Sequence, residues 1–146
     1  MKVRDILQQK GSRVISIHED ALLTDVMSLF FANKVGSLLV VDKNDVIKGI
    51  VAPNDILRAV HNRLDLVPKM TVREVMVTDL IVATPDDDIA YLQNIMTENR
   101  VRHIPVLDLG KLMGLVSIGD VVKAQMTEKT VENRYLKDYI EGKYPA

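Results

Sequence analysis

Two stretches of this chain bring a carboxylate to the end of a β-branched run: GIVAPND at 49–55 and GLVSIGD at 114–120. In the second, the run closes at Val116–Ser117 and a helix is expected from about Gly119. Backbone N–H groups at a helix start are unpaired, and the helix dipole favours an anion there. A carboxylate has two acceptor oxygens and no donor, so Asp120 could take both hydroxyls of a vicinal diol, with Ser117 donating or accepting beside it. The same S-x-x-D spacing also writes a capping box, in which Ser117 and Asp120 only satisfy the helix end. The residues alone leave both readings open. The first stretch keeps Asp55 but has Ala52 in place of the serine.

Other chemistry is poorly supplied. There is no G-x-x-x-x-G-K and no G-x-G-x-x-G. His18, His61 and His103 have no metal-ligand spacing, and Asp86-Asp87-Asp88 reads as an acidic first helical turn rather than a metal site. No Ser-His-Asp or Cys-His set emerges, so no catalytic residue is assigned. The 19 basic and 20 acidic residues of the 146 give a net charge of −1, which offers no general attraction to nucleic acid or anionic membrane. Runs such as SLLVV at 37–41 are too short to span a bilayer. The chain has no cysteine, and its opening MKVRDILQQKG does not read as a signal peptide, so a cytoplasmic home is expected.

The elements that must position Asp55 and Asp120 are written twice. VRDIL at 3–7 matches VREVM at 72–76, and VISIHEDALLTDV at 14–26 lies over LIVATPDDDIAYL at 80–92. NKVGSLLVVD at 33–42 lies over NRVRHIPVLD at 99–108, and the two Gly-to-Asp stretches close the copies. Each copy reads as a strand (Val14–Ile17; Leu80–Ala83), a helix, two strands (Ser37–Val41 with Val46–Val51; His103–Leu107 with Leu112–Ser117) and a second helix from about Asn54 or Gly119. The turns DKND and DLGK join the paired strands. Leu22, Val26, Leu29 and Phe30 share one helix face, as do Ile89, Leu92, Ile95 and Met96. In the second copy the helix is expected to open with Thr84 as N-cap and Pro85 at the first helical position. The fold class is therefore mixed α/β (α+β), a tandem β-α-β-β-α repeat. The two apolar sheets are expected to pack face to face about a pseudo-two-fold axis, with a C-terminal helix added. The first copy is placed at 1–63, a linker at 64–70, the second copy at 71–128 and a helical tail at 129–146.

The ordered set GIVAPNDIL, GLVSIGDVV, HIPVLD and VREVM resembles the CBS domain, and its duplication resembles a CBS pair, or Bateman module, over residues 3 to about 126. The resemblance implies a non-catalytic regulatory or sensor module. Such a module binds adenosyl compounds (AMP, ADP, ATP or S-adenosylmethionine) in clefts between the repeats and needs no other cofactor. It implies Asp120 and Asp55 as ribose binders, with Ser117 and Gly119 at the same turn, and a basic pair, Arg102 and His103, for phosphate. Val82, Ile104, Pro105 and Ile118 could wall the base, with Thr84 nearby. Gly36 and Ser37 stand where the second copy has Arg102 and His103, so the two clefts are unequal. The alternative is a structural or interaction protein of the same fold with degenerate clefts. A stripe of Val131, Tyr135, Leu136, Tyr139 and Ile140 on the tail, with the family's habit of pairing, leads us to expect a homodimer. The regulated protein partner is unknown, and neither membrane nor nucleic acid is expected as a partner.

Overall fold

The computed structural model describes residues 1–11 and 13–141, leaving aside the side chains of 130–133, 135 and 138–140. The fold is mixed α+β, in the order α1 (Val3–Lys10), β1 (Ser16–His18), α2 (Leu23–Asn33), β2 (Leu38–Val41), β3 (Ile47–Val51), α3 (Pro53–Arg63), α4 (Ile89–Asn99), β4 (His103–Asp108), β5 (Lys111–Ser117) and α5 (Ile118–Ile140). Short 3-10 turns occupy Leu64–Lys69 and Val72–Glu74. Among the described residues no helix is long and apolar enough to cross a membrane.

The two copies build the same framework. β1 pairs parallel with β2, and β2 antiparallel with β3. β4 pairs antiparallel with β5, and a parallel bridge from Ala83 to Val106 stands where the first copy has β1. A register shift falls between Val40 and Val41 in one and between Val106 and Leu107 in the other, at matching positions. Three successive residues of β2, Leu38, Leu39 and Val40, are fully buried, and Ile104, Pro105 and Val106 of β4 are buried likewise. Such runs mark strands covered on both faces rather than strands that alternate between core and water.

Several sequence expectations are corrected. Leu80–Ala83 is not a strand; only Ala83 bridges, through its N–H to Pro105 O and its carbonyl from Leu107 N. Thr84 is not a helix N-cap. Residues 84–87 form a turn closed by the Asp87 carboxylate on Thr84 N–H at 2.8 Å, and α4 starts at Ile89 after Asp88. Proline at 85 fits a turn as well as a helix start, which is why the sequence misled. Leu22 lies before α2 and is exposed, while Leu23 takes the core position. Residues 64–70 wind into a turn whose Val67 and Met70 join the core cluster of Leu23, Val26, Leu38, Val51 and Ile56. The helical tail expected from 129 is continuous in α5 with the closing helix of the second copy. Of the tail stripe only Leu136 is among the described side chains, and it is half exposed; Val131, Tyr135, Tyr139 and Ile140 lie outside them.

The compact units do not follow the order of the repeats. One unit gathers Arg13–Ile81, the other Met1–Ser12 with Val82–Ala146. Hydrogen bonds explain the division. Val72 N–H donates to Ala21 O and Arg73 N–H to Glu19 O, while Val3 N–H donates to Asp87 O and Arg4 N–H to Pro85 O. The Arg73 guanidinium meets Asp20 at 2.6 Å, and Arg4 meets Asp86. These are matching residues of the two copies, so VRDIL docks on the second repeat just as VREVM docks on the first.

The recurring glycine is the seat of each arm. A Cβ on Gly49 would lie 2.8 Å from Met76 Sδ and 2.8 Å from Val77 O, and one on Gly114 would lie 2.7 Å from Leu7 Cδ2. Leu7 and Met76 are themselves matching residues. Val77 is fixed by reciprocal bonds with Ile50, so its carbonyl cannot give way, whereas a leucine tip can turn. Gly49→Ala should therefore cost about 1–3 kcal/mol and Gly114→Ala distinctly less. Urea unfolding of the two variants checks this, and equal losses would contradict it.

Candidate functional site

β5 passes into α5 without an intervening loop. The Asp120 Oδ2 accepts the Ser117 N–H at 2.8 Å, and Ser117 Oγ accepts the Asp120 N–H at 3.1 Å. The capping box is thus fully formed, as the sequence allowed. The Ile118 N–H donates to Arg102 O at 2.8 Å, which ties the helix start to the residue before β4. His103 lies opposite Ser117 in the strand register.

The same carboxylate-to-N–H device recurs at Lys2–Asp5, Ala52–Asp55, Thr71–Glu74 and Thr84–Asp87, each at 2.8 Å. What sets Asp120 apart is a partner from far away in sequence. Lys10 Nζ donates to Asp120 Oδ2 at 2.6 Å from the last turn of α1. A pocket opens beside this pair, lined by Ile6, Gln9, Lys10, Asp120, Lys123 and Ala124. The bonds that the Asp120 carboxylate accepts from Lys10 and from the Ser117 N–H both fall on Oδ2.

The electrostatics follow from these contacts. Burial pushes the Asp120 carboxyl up, but the bonds from Lys10 and Ser117 outweigh it and hold the group below the ordinary carboxylate range. His103 is pushed below its ordinary value, first by burial and then by Lys10, with Asp120 opposing and Arg102 adding. It is therefore neutral at pH 7 and offers a donor and an acceptor rather than a charge.

The structure brings Asp120, Ser117, Ile118, Gly119, His103 and the backbone of Arg102 to one turn; the Arg102 side chain is exposed. Ile104 and Pro105 are buried in β4, Ile118 is half-buried, and Val82 is exposed. Val82 and the exposed Thr84 flank the Ala83 bridge to β4. Asp55 belongs to the other unit. Its Oδ2 accepts Ala52 N–H at 2.8 Å, and Arg58 of its own helix lies 3.8 Å from Oδ1. Pro53 stands where Ile118 stands in the second copy and has no N–H to give a matching tie. Ser37, matching His103, is 4% exposed and its hydroxyl finds no partner among the described residues.

Lys10 was not singled out from sequence. The signal was present: Val3, Ile6 and Lys10 fall on one face of α1 at i, i+3 and i+7, and the first two are buried. A cation on an apolar helix face calls for a buried anion, but nothing local names which one.

The chain belongs to the CBS-domain family and carries the domain twice: the family's model matches residues 3–62 and 72–127. It is similar to the mitochondrial CBS domain-containing protein CBSX3 of Arabidopsis thaliana, 31% identical over 97% of this chain and 73% of that protein. Among solved structures it is similar to the CBS-domain containing protein ATU1752 of Agrobacterium tumefaciens, with a TM-score of 0.83, 32% identity, and 86% and 99% of the two chains covered. It is also similar to CBSX2, solved in complex with AMP, with a TM-score of 0.70, 26% identity, and 88% and 98% covered.

Because the folded pKa of Asp120 lies below the unfolded value of about 3.9, its contribution is complete above that pH and is lost as pH falls through the folded value. Asp120→Asn keeps an oxygen for Ser117 N–H but loses the charge that faces Lys10. It should lower stability by about 1 kcal/mol at pH 7. Melts at pH 7 and about pH 3 test this: the gap from wild type should narrow in acid, and a gap independent of pH would contradict the ion pair.

Proposed function

We propose that the chain is a regulatory CBS-pair module, without catalysis of its own, that binds an adenosyl nucleotide at the start of α5. Asp120 takes the ribose diol and Arg102 meets the phosphate, with His103 a neutral hydrogen-bonding neighbour. The observation that carries this reading is the Asp120 carboxylate: it lines a pocket with two lysines and takes the Lys10 and Ser117 N–H bonds on a single oxygen, Oδ2. The capping bond takes only Oδ2, so Oδ1 can meet one ribose hydroxyl while the second must share Oδ2. The AMP bound by CBSX2, a relative of the same fold, supports the ligand class. AMP, ADP and ATP fit the reading, and S-adenosylmethionine remains within it.

The first copy favours a different role. Ala52 supplies no hydroxyl, Pro53 supplies no N–H, and Asp55 has Arg58 of its own helix as a neighbour. We assign Asp55 a structural role, with ligand affinity residing in the second copy.

Thermal melts with AMP, ATP and S-adenosylmethionine test the reading. A ligand at 100 times its Kd stabilises by about 2.7 kcal/mol, which for a chain of this size is a shift of about 5–10 °C. Asp120→Asn should lose most of that shift and Asp55→Asn little of it. No shift with any of the three ligands, or an undiminished shift in Asp120→Asn, would defeat the assignment.

A further inference from the structure

Lys10 occupies an unusual position for a residue outside the duplicated turn. Its ammonium sits 2.6 Å from Asp120 Oδ2, an oxygen that also accepts the Ser117 N–H. A carboxylate oxygen offers two in-plane lone-pair directions, so Oδ2 is saturated. A diol that reaches across both oxygens must therefore displace one of these donors. Ser117 N–H is fixed by the β5–α5 turn. Lys10 is carried on a four-carbon stem, its side chain one-third exposed, and can swing away.

We propose that Lys10 sets the specificity of this site, making it favour a phosphorylated adenosyl ligand over the bare nucleoside. The inference rests on Asp120 as the ribose binder. The ammonium holds the place on Oδ2 that a ribose hydroxyl would take. A nucleoside that displaces it leaves a cation without its carboxylate and offers nothing in return. A nucleotide offers a phosphate, to which a lysine is a good point-charge donor. Lys123 lines the same pocket and adds positive potential. Lys10 thus opposes every ligand at the ribose and repays only those that carry an anion.

This arrangement demands changes of opposite sign, which a merely structural lysine would not produce. Titration calorimetry of the full chain with AMP and with adenosine, on wild type and Lys10→Met, reads them. Lys10→Met should bind adenosine as well as wild type or better, because the competing cation is gone. It should bind AMP about tenfold more weakly, the scale of one hydrogen bond to a charged group. The AMP-to-adenosine preference should therefore fall by about tenfold or more. Lys10→Gln, which keeps a donor but no charge, should behave like Lys10→Met and serves if the methionine variant folds poorly. A preference unchanged in both variants overturns the inference, even if both ligands weaken together. A wild type that binds both ligands without preference overturns it while leaving the ribose assignment intact. A wild type that binds neither defeats the nucleotide reading itself, and the role of Lys10 falls with it.

Discussion

The turn from β5 into α5 depends on one carboxylate. Asp120 closes the helix start through Ser117 N–H, and through Lys10 it ties α1 to α5 across 110 residues of sequence. Two donors on a partly buried oxygen hold the group ionised against the cost of burial. Other acidic residues of this chain cap a turn in the same way, and among the described residues none of Asp5, Asp55, Glu74 and Asp87 carries a cation on the capping oxygen.

The duplication has a physical meaning beyond repetition. Each copy needs an arm to lie over its bare glycine, and each arm brings the same contacts: two backbone N–H groups, an arginine for an aspartate, and an apolar tip. The first repeat takes the arm that follows it, and the second takes the arm at the start of the chain. Had the arm before residue 13 docked on its own repeat, Lys10 would not stand beside Asp120. The structural difference between the two turns therefore follows partly from which arm docks where. The substitutions at Ala52 and Pro53 supply the rest.

Much of this was legible in the sequence. The periodicity of Ile89, Leu92 and Met96 and the β-branched runs at 38–41 and 103–107 gave the elements, because burial on one face or both leaves a strong pattern. The S-x-x-D spacing announced the capping box, since its bonds are local. Thr84-Pro85 was misread because a turn and a helix start use the same residues, and only the position of Asp88 separates them. Leu22 and Leu23 are neighbours that the pattern could not rank. The docking partner of α1 and the anion that Lys10 meets could not be read: they are set by tertiary packing between segments whose sequences carry no mark of each other. The unpartnered hydroxyl of Ser37 belongs to the same class.

The central claim is that Asp120 holds the ribose of an adenosyl nucleotide. A crystal structure of the full chain grown with AMP tests it most directly. The account predicts a ribose diol within hydrogen-bond distance of the Asp120 carboxylate, with Lys10 moved from Oδ2 toward the phosphate. AMP seated with its ribose on Asp55 or elsewhere, with the Lys10–Asp120 bond intact, would contradict it.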